Sequence, residues 1–330
     1  MPLTRTATAA FALALSATAS TAAEQVAFGT NWLAQAEHGG FYQSVADGTY
    51  AACGLDVTIL PGGPQVNNRA LMLAGKIDFH MGGDMLEAFN AVREGIPVVS
   101  VAAIMQKHPQ VFIAHPGEAE TFEDLKNLTL LVGDQGFQSF YRWMMAEYGF
   151  TPEQRRPYTF NPAPFLADTK MGMQGFLSSE PYLVEKEGGF TPEVFLIADA
   201  GYSTYATTIE TMADTIKERP EVVKCFVEGS IKGWYTYLYG DNTAANDLIK
   251  QDNPEMSDDK IAYAIDKMKE FGIVDSGDTE TQGIGAITEA KVEDFYRKMV
   301  ASGVIEDGLD WKAALDTSFT GEGVGMDLKK

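Results

Sequence analysis

The sequence predicts an α/β protein with two lobes that enclose a ligand cleft. Short β-like runs alternate with amphipathic stretches from Val26 onward, and glycine or proline residues stand between many of them. After Tyr205 the pattern changes to helices. The chain has 330 residues, a length that favours about two domains. Because alternating strands and helices pack as layers, we expect two mainly parallel sheets with helices on their faces.

The first set of elements lies between residues 26 and 104. Gly54, Gly75 and Gly95 each follow a helical pattern, as residues that end helices often do. Between the second strand and the next helix, Pro61-Gly62-Gly63-Pro64-Gln65 is typical of a turn. The predicted strands are 26–32, 55–59, 77–81 and 97–104, and the predicted helices begin near residues 41, 67 and 84.

The second set begins near residue 111 and is followed by helices. Its predicted strands are 111–114, 128–132, 158–160 and 194–198, with a capped short helix at 121–126 and an aromatic helix at 137–148. Pro220 opens a long helix, and helical periods also cover 257–271 and 288–301. We therefore expect lobe 1 at 24–111 with 206–330 and lobe 2 at 112–205, joined by crossings near residues 111 and 205.

Residues 1–23 are predicted to be a secretory signal peptide. Arg5 precedes an apolar, small-residue stretch from Ala9 to Ala19, and Ser20-Thr21-Ala22-Ala23 follows it. A retained membrane anchor is the alternative, but the stretch is short and alanine-rich for a span of about 20 residues. We expect the mature chain to be soluble in the periplasm.

Charge and motifs exclude several classes of function. The formal net charge is −21, and no run of Lys or Arg could neutralise phosphates, so nucleic acid and anionic membranes are disfavoured as partners. The sequence contains no nucleophile motif and no phosphate-binding loop. His108 and His115, seven residues apart, are a weak pair for a metal. We expect neither an enzyme nor a bound cofactor or metal.

The two cysteines leave two states open. Cys53 and Cys225 are 172 positions apart, and each lies in a helical pattern among apolar neighbours. An exported protein can form a disulfide, but buried free thiols fit the same pattern.

The loops after the predicted strands carry the candidate binding residues. In open α/β sheets such loops converge on a crevice that binds ligands. The loop after the first strand combines flat aromatic side chains with hydrogen-bonding groups, and the later loops add glycines and acids. The predicted ligand-binding residues are Asn31, Trp32, Glu37, His38, Phe41, Tyr42, Gly62, Gly63, Gly82, Asp84, Gln135, Phe137, Glu180 and Tyr182.

These loops carry acids and no Lys or Arg, which limits the ligand. Carboxylates repel an anion, whereas they accept hydrogen bonds from a ring N–H or an amine. We expect a neutral or amine-bearing flat heterocycle stacked on an aromatic side chain. Asp84 and Asp134 have an alternative role as helix caps, and Glu180 has one too.

Several stretches resemble the thiamine-pyrimidine-synthase-like family of periplasmic solute-binding proteins, which is related to nitrate, sulfonate and taurine binders. The matching segments are 26–32, Glu37-His38-Gly39-Gly40-Phe41-Tyr42, Gly54-Leu55-Asp56-Val57, Pro61-Gly62-Gly63, 74–79, 121–126 and 219–234. The resemblance implies two α/β lobes that close on a small molecule and deliver it to the permease of an ABC transporter in the inner membrane.

The resemblance also implies a ligand and roles for residues. Trp32, the pair Glu37 and His38, and the stretch Glu180-Pro181-Tyr182 match motifs of the family. Its members include binders of pyrimidine precursors of thiamine, and riboflavin or another aromatic compound is the alternative ligand. The family's pyrimidine-synthesis enzymes have a cysteine-rich motif that this sequence lacks. We expect a monomeric solute-binding protein.

Overall fold

The computed structural model describes residues 22–63 and 66–329. The predicted signal peptide therefore lies outside the described residues except for Ala22 and Ala23. Pro64 and Gln65 of the predicted turn lie outside them as well.

The described residues form alternating strands and helices in the first two thirds of the chain and helices with short 3-10 turns in the last third. The strands are β1 (Glu24–Gly29), β2 (Leu55–Leu60), β3 (Phe79–Asp84), β4 (Val98–Met105), β5 (Gln110–Ala114), β6 (Thr129–Val132), β7 (Arg155–Pro157), β8 (Met171–Phe176), β9 (Glu193–Leu196) and β10 (Ala206–Met212). The helices are α1 (Gly39–Ala46), α2 (Thr49–Ala52), α3 (Asn68–Leu73), α4 (Met85–Arg93), α5 (Asp134–Gln138), α6 (Phe140–Tyr148), α7 (Ala163–Ala167), α8 (Glu180–Gly188), α9 (Ala213–Glu218), α10 (Pro220–Tyr239), α11 (Thr243–Asp252), α12 (Asp258–Glu270), α13 (Thr279–Gln282) and α14 (Glu289–Ala301).

The strands form two five-stranded sheets, so the predicted α/β fold class is confirmed. The first sheet has the order β2-β1-β3-β10-β4, and the second has the order β7-β6-β8-β5-β9. Both are mixed: β1 and β6 pair with their neighbours in parallel, whereas β10 and β5 are antiparallel to theirs. In each sheet four of the five strands run in the same direction, as expected of mainly parallel sheets, and one strand, β10 or β5, runs against them.

Strand β10 was not predicted from the sequence, which indicated helices after Tyr205. Its sequence, Ala-Thr-Thr-Ile-Glu-Thr-Met, has the β-branched residues that favour strands. Glu210 in its middle is fully buried because the strand lies inside the sheet, between β3 and β4. Because a charged residue interrupts the apolar run, a hydrophobicity pattern does not identify this segment as a central strand.

The chain passes between the sheets twice. Strands from residues 24–105 and 206–212 form the first sheet, and strands from residues 110–196 form the second. The exact lobe boundaries, and rotation about the crossings, stay predictions. The predicted apolar stripe of α10 is buried, including Phe226, Ile231 and Trp234, and α10 packs on α1.

Cys53 and Cys225 form a disulfide, so the alternative of buried free thiols was wrong. Cys53 follows α2 and is exposed, while Cys225 lies in α10 and is half-buried. Their Cα atoms are 6.1 Å apart, within the range that a disulfide spans. The bond ties the first hundred residues to the long helix that follows the second crossing.

None of the helices in the described residues is long and apolar enough to cross a membrane.

Candidate functional site

The carboxyl ends of strands from both sheets meet, and we call the region between them the cleft. Residues that follow β1 and β3 contact residues that follow β6, β7 and β8. The pairs that join the two sides are Glu37 with Ser178, Glu87 with Gln135, Trp32 with Phe160, and Tyr182 with Asp259. This is the edge at which open α/β sheets bind ligands.

At one end of the cleft two glutamates lie on opposite sides. Glu37 is buried, and its carboxylate accepts a hydrogen bond from the Ser178 hydroxyl. Glu180 begins α8, and its Oε2 accepts from the backbone N–H of Phe176 at 2.6 Å. Burial raises the pKa of Glu37, and burial together with the charge of Glu37 raises the pKa of Glu180 to about 7. Lys260 in α12 offsets part of this negative charge.

Behind Glu37, the start of α1 is packed against α10 without space for side chains on the glycines. A Cβ atom at Gly39 would collide with the Tyr237 ring, and one at Gly40 would collide with the Trp234 ring. His38 is fully buried, and within the described part of the chain neither of its ring nitrogens has a hydrogen-bond partner. Burial lowers the pKa of His38 to about 3, so the ring is neutral at ordinary pH.

At the other end of the cleft, Asp84 begins α4 as its N-cap. Its Oδ1 accepts from the backbone N–H groups of Leu86 at 3.0 Å and Glu87 at 3.2 Å. Tyr202 donates to its Oδ2 at 3.2 Å, and burial raises the pKa of Asp84 to about 6. Burial and the charge of Asp84 also raise the pKa of Glu87.

A buried ion pair lies beneath α3 and α4. Arg69 Nη2 donates to both carboxylate oxygens of Glu210 at 2.8 Å, and His80 Nδ1 lies 3.3 Å from Oε2. Burial works against the charged form of Glu210, but His80 and Arg69 outweigh it and lower the pKa of this carboxyl. Gly82 lies against Glu210 and Thr208, where a Cβ atom would collide with both side chains.

Above this ion pair a cavity of about 530 Å³ opens beside the cleft, and we call it the α3/α4 cavity. That volume lies within the range of small-molecule sites. A smaller cavity of about 360 Å³ lies at the opposite edge of the first sheet, near Val99 and Asp316, away from every predicted residue. The α3/α4 cavity is lined by Thr30, Asn31, Val66, Asn67, Asn68, Arg69, His80, Glu87, Asn90, Ala91, Glu94, Ile96 and Gln135.

Two aromatic rings face each other across the cleft. The ring centroids of Trp32 and Phe160 are 5.6 Å apart with planes tilted by 43°. Phe160 is 61% exposed, an unusual state for a large apolar side chain, and its φ of 61° is left-handed. Such strain at an exposed residue is typical of functional sites.

Most of the predicted residues lie at or near the cleft. Asn31 and Gln135 line the α3/α4 cavity, and Gly62 lies against the backbone of Thr30 and Asn31, where a Cβ atom would collide. A Cβ atom at Gly63 would make only ordinary contacts, so no close approach requires glycine there. Phe137 is half-buried against Tyr141 and beneath the Arg155 guanidinium. The ligand-binding roles of these residues and of Trp32, Glu37, His38, Asp84, Glu180 and Tyr182 stay predictions.

Phe41 and Tyr42 require correction because neither side chain faces the cleft. Phe41 is fully buried between Phe28 and Trp234, with ring centroids 4.6 and 6.0 Å away. The Tyr42 hydroxyl donates to Asp252 of α11 at 2.7 Å. Both lie in the first turn of α1, directly after the buried Gly39 and Gly40.

Four residues of the cleft were not predicted: Arg69, Glu87, Phe160 and Ser178. Arg69 and Glu87 lie in the first turns of α3 and α4 rather than in loops. A search extended by one helical turn beyond each strand-end loop would have found them, and it would have found the cation that the loops lack. Among residues 22–63 and 66–329, no group of His, Cys, Asp or Glu side chains is arranged to hold a metal.

Known proteins of similar structure share little sequence with this chain. The ligand-binding component of an ABC-type import system from Staphylococcus aureus has a TM-score of 0.64 and 12% identity, covering 92% of this chain and 99% of its own. The periplasmic aliphatic sulphonate-binding protein from Escherichia coli has a TM-score of 0.61 and 14% identity, covering 89% and 92%. These likenesses confirm the periplasmic-binding-protein fold.

The same fold also occurs in an enzyme. The desulfurization enzyme DszB has a TM-score of 0.55 and 11% identity, covering 90% of this chain and 97% of its own. A search of curated proteins finds no match.

The sequence itself matches a family model described as NMT1/THI5 like over residues 35–243, which is more than half of the chain. The match includes Glu37, Asp84 and Glu180 of the cleft. It confirms the predicted family resemblance. The chain belongs to the NMT1/THI5-like family.

Proposed function

We propose that this protein is the solute-binding component of an ABC importer and that it binds a flat, amine-bearing heterocycle. A pyrimidine precursor of thiamine is the first candidate, and riboflavin or another aromatic compound is the alternative. The mature protein acts as a monomer in the periplasm and delivers its ligand to a permease. The family, the fold and the signal-like residues 1–23 support the transport role.

The charge of the cleft is the single observation that carries the ligand class. Glu37, Asp84, Glu87 and Glu180 all lie there with raised pKa values, because burial disfavours their charged forms. Each of these carboxyl groups accepts from at least one protein donor, and an amine or ring N–H of a ligand offers further donors to their oxygens. The positive charge of Arg69 is already paired with Glu210.

An anionic ligand is the second candidate, favoured by Arg69 beside the cleft and by the sulphonate-binding protein of similar fold. It would have to enter among the four acids, where repulsion disfavours it. An enzyme of pyrimidine synthesis is a weaker candidate. The two cysteines of the sequence, Cys53 and Cys225, are bonded to each other, so neither is free for such chemistry.

A thermal-shift screen tests the proposal on protein that has been unfolded and refolded to remove bound ligand. The probes are 4-amino-5-hydroxymethyl-2-methylpyrimidine, riboflavin, benzoate, an alkanesulfonate and nitrate. A ligand at about 100 times its Kd stabilises the folded state by about 2.7 kcal/mol, which raises Tm by several degrees. We expect such a shift with a heterocycle and none with the anions. A shift with sulfonate or nitrate alone would contradict the proposed ligand class.

A further inference from the structure

The α3/α4 cavity begins at the residue next to Trp32. Asn31, which follows β1, lines the cavity, and Trp32 faces Phe160 across the cleft. Glu87 and Asn90 of α4 line the opposite wall. Gln135 reaches the cavity from the second half, where its Nε2 donates to Glu87 Oε1 at 2.6 Å. A ring held at Trp32 would therefore have open space directly beside it.

The walls of this cavity are polar, in contrast to the aromatic pair. Asn31 is exposed and Asn90 half-buried, and in the described part of the chain neither side chain makes a hydrogen bond to protein. Each carboxamide offers both a donor and an acceptor. The Nε atom of Arg69 is buried without a partner among the described residues, although the same guanidinium binds Glu210. These groups are free to bind a solute.

The charges of the cavity disfavour a phosphate or other anion. Glu87 and Glu94 line it, and Glu210 lies beneath it against Arg69. An anion needs unpaired cations or several backbone amides, whereas hydroxyl and ammonium groups can donate to carboxylates and carboxamides. The cavity also exceeds the needs of a bare ring, since about 530 Å³ is within the range for whole drug-sized ligands.

We propose that the α3/α4 cavity binds a polar chain attached to the ring of the ligand, a chain that carries hydroxyl or ammonium donors and no phosphate. This inference rests on the proposed function, because the ring must be held at Trp32 for its chain to reach the cavity. It divides the site into an aromatic part that holds the ring and a polar part that selects the substituent.

Two pairs of probes separate the ring from the chain. Lumichrome is a flavin ring without the chain, and riboflavin adds a polyhydroxyl chain. 4-Amino-5-hydroxymethyl-2-methylpyrimidine is a pyrimidine with one short hydroxymethyl group, and thiamine carries in its place a cationic ring with a hydroxyethyl arm. Riboflavin 5′-phosphate and thiamine phosphate add an anion to each chain. Affinities are measured by calorimetry with refolded, ligand-free protein.

Three variants locate the chain. Asn90→Leu replaces the carboxamide in the cavity wall with an apolar side chain of similar length, and Asn90→Ala removes the carboxamide without adding bulk. Asn127→Leu is the matched control, because Asn127 is exposed at the end of the short helix before β6. The Tm of each variant is recorded beside its affinities, so that a folding defect in one Asn90 variant leaves the other to test the proposal.

In at least one pair we expect the chain-bearing probe to bind at least tenfold more tightly than its ring, and the phosphate to weaken that binding. Asn90→Leu should remove the tenfold advantage and leave the bare ring within twofold of its original affinity. Asn127→Leu should change neither. Equal affinities for ring and chain-bearing probe, tighter binding of the phosphate, or equal weakening of both by the Asn90 variants would overturn this inference and leave the proposed function standing. Failure of every probe to bind would overturn both.

Discussion

The two halves of the protein contact each other differently at the two ends of the cleft. At the Glu37 end the contact between the halves is direct and buried, because Ser178 donates to Glu37. Glu180 lies nearby and accepts a hydrogen bond from Phe176 of its own half. At the Glu87 end the contact between Gln135 and Glu87 is exposed, and a cavity of about 530 Å³ opens beside it. The Glu37 end is therefore suited to hold the halves together, whereas the Glu87 end has the space for a solute.

The ends also differ in whether a buried carboxyl group has a cation beside it. Burial raises the pKa of Glu37, which favours its neutral form. Beneath the Glu87 end, Glu210 is held charged by Arg69 and His80, which lower its pKa despite burial. A buried ion pair therefore lies beneath one end, whereas Glu37 makes its hydrogen bond to the neutral hydroxyl of Ser178.

Removing one partner of the ion pair should have the largest effect on stability. Arg69→Leu leaves Glu210 buried with only His80 beside it, and breaking such a pair costs about 3–5 kcal/mol. Glu37→Gln should cost less than about 1 kcal/mol, because glutamine is neutral and its oxygen still accepts from Ser178. Urea unfolding of both variants measures the contrast. Similar losses in the two variants would show that the ends do not differ in this way.

Replacing the aromatic residues should weaken the ligand and leave the fold intact. Trp32→Ala and Phe160→Ala each remove one ring of the pair that spans the cleft, and aromatic contacts of this kind contribute about 1–3 kcal/mol to binding. Leu33→Ala, a change at an exposed apolar neighbour, is the control. Calorimetry with the heterocycle found in the screen gives the affinities. Unchanged binding by Trp32→Ala at unchanged Tm would show that the indole only packs against protein.

Glu180 should contribute to the free energy of ligand binding about as much as one hydrogen bond from an amine to a carboxylate. Glu180→Gln keeps the size and the acceptor for the Phe176 N–H but removes the charge, so an amine-bearing ligand should bind at least tenfold more weakly, roughly 1.4 kcal/mol. Glu185→Gln, on the exposed side of the same helix, should have no effect. An affinity that survives Glu180→Gln unaltered would exclude a hydrogen bond from the ligand to this carboxyl.

The last prediction concerns the pH dependence of ligand-free stability. Burial raises the pKa of Glu180 from 4.5 to about 7, so the folded state binds a proton that the unfolded state has lost between these values. The stability that this proton contributes is present below pH 4.5 and is lost as the pH rises toward 7. Asp84 acts in the same direction. Tm should fall across this interval, and less steeply in Glu180→Gln; the same slope in both proteins would speak against a raised pKa.

Much of the architecture followed from local pattern, and the exceptions have physical causes. Helix-ending glycines and alternating apolar residues located the elements around β1, β2 and α10, because those patterns report burial on one face. Strand β10 was missed because Glu210 is buried with a partner that lies 141 positions away in the chain. No local pattern contains such a pairing.

The site was less predictable than the fold. Trp32, Glu37 and Glu180 were singled out from the chemistry of strand-end loops, and they do lie at the cleft. Phe41 was singled out for the same reason, but its side chain packs in the core. The orientation of α1 about its axis, which the sequence of the loop does not determine, decides which of its side chains face inward. Phe160 was missed as a ligand residue because only the folded chain brings it opposite Trp32.

One calorimetric comparison tests the central claim, that carboxyl groups of the cleft select an amine-bearing heterocycle. Ligand-free protein is titrated at pH 7.5 with 4-amino-5-hydroxymethyl-2-methylpyrimidine and, separately, with the analogue that carries a carboxylate in place of the hydroxymethyl group. The four acids at the cleft predict that the first compound binds at least tenfold more tightly than the second. Equal or tighter binding of the carboxylate would contradict the account, because it would mean that the cleft attracts anions.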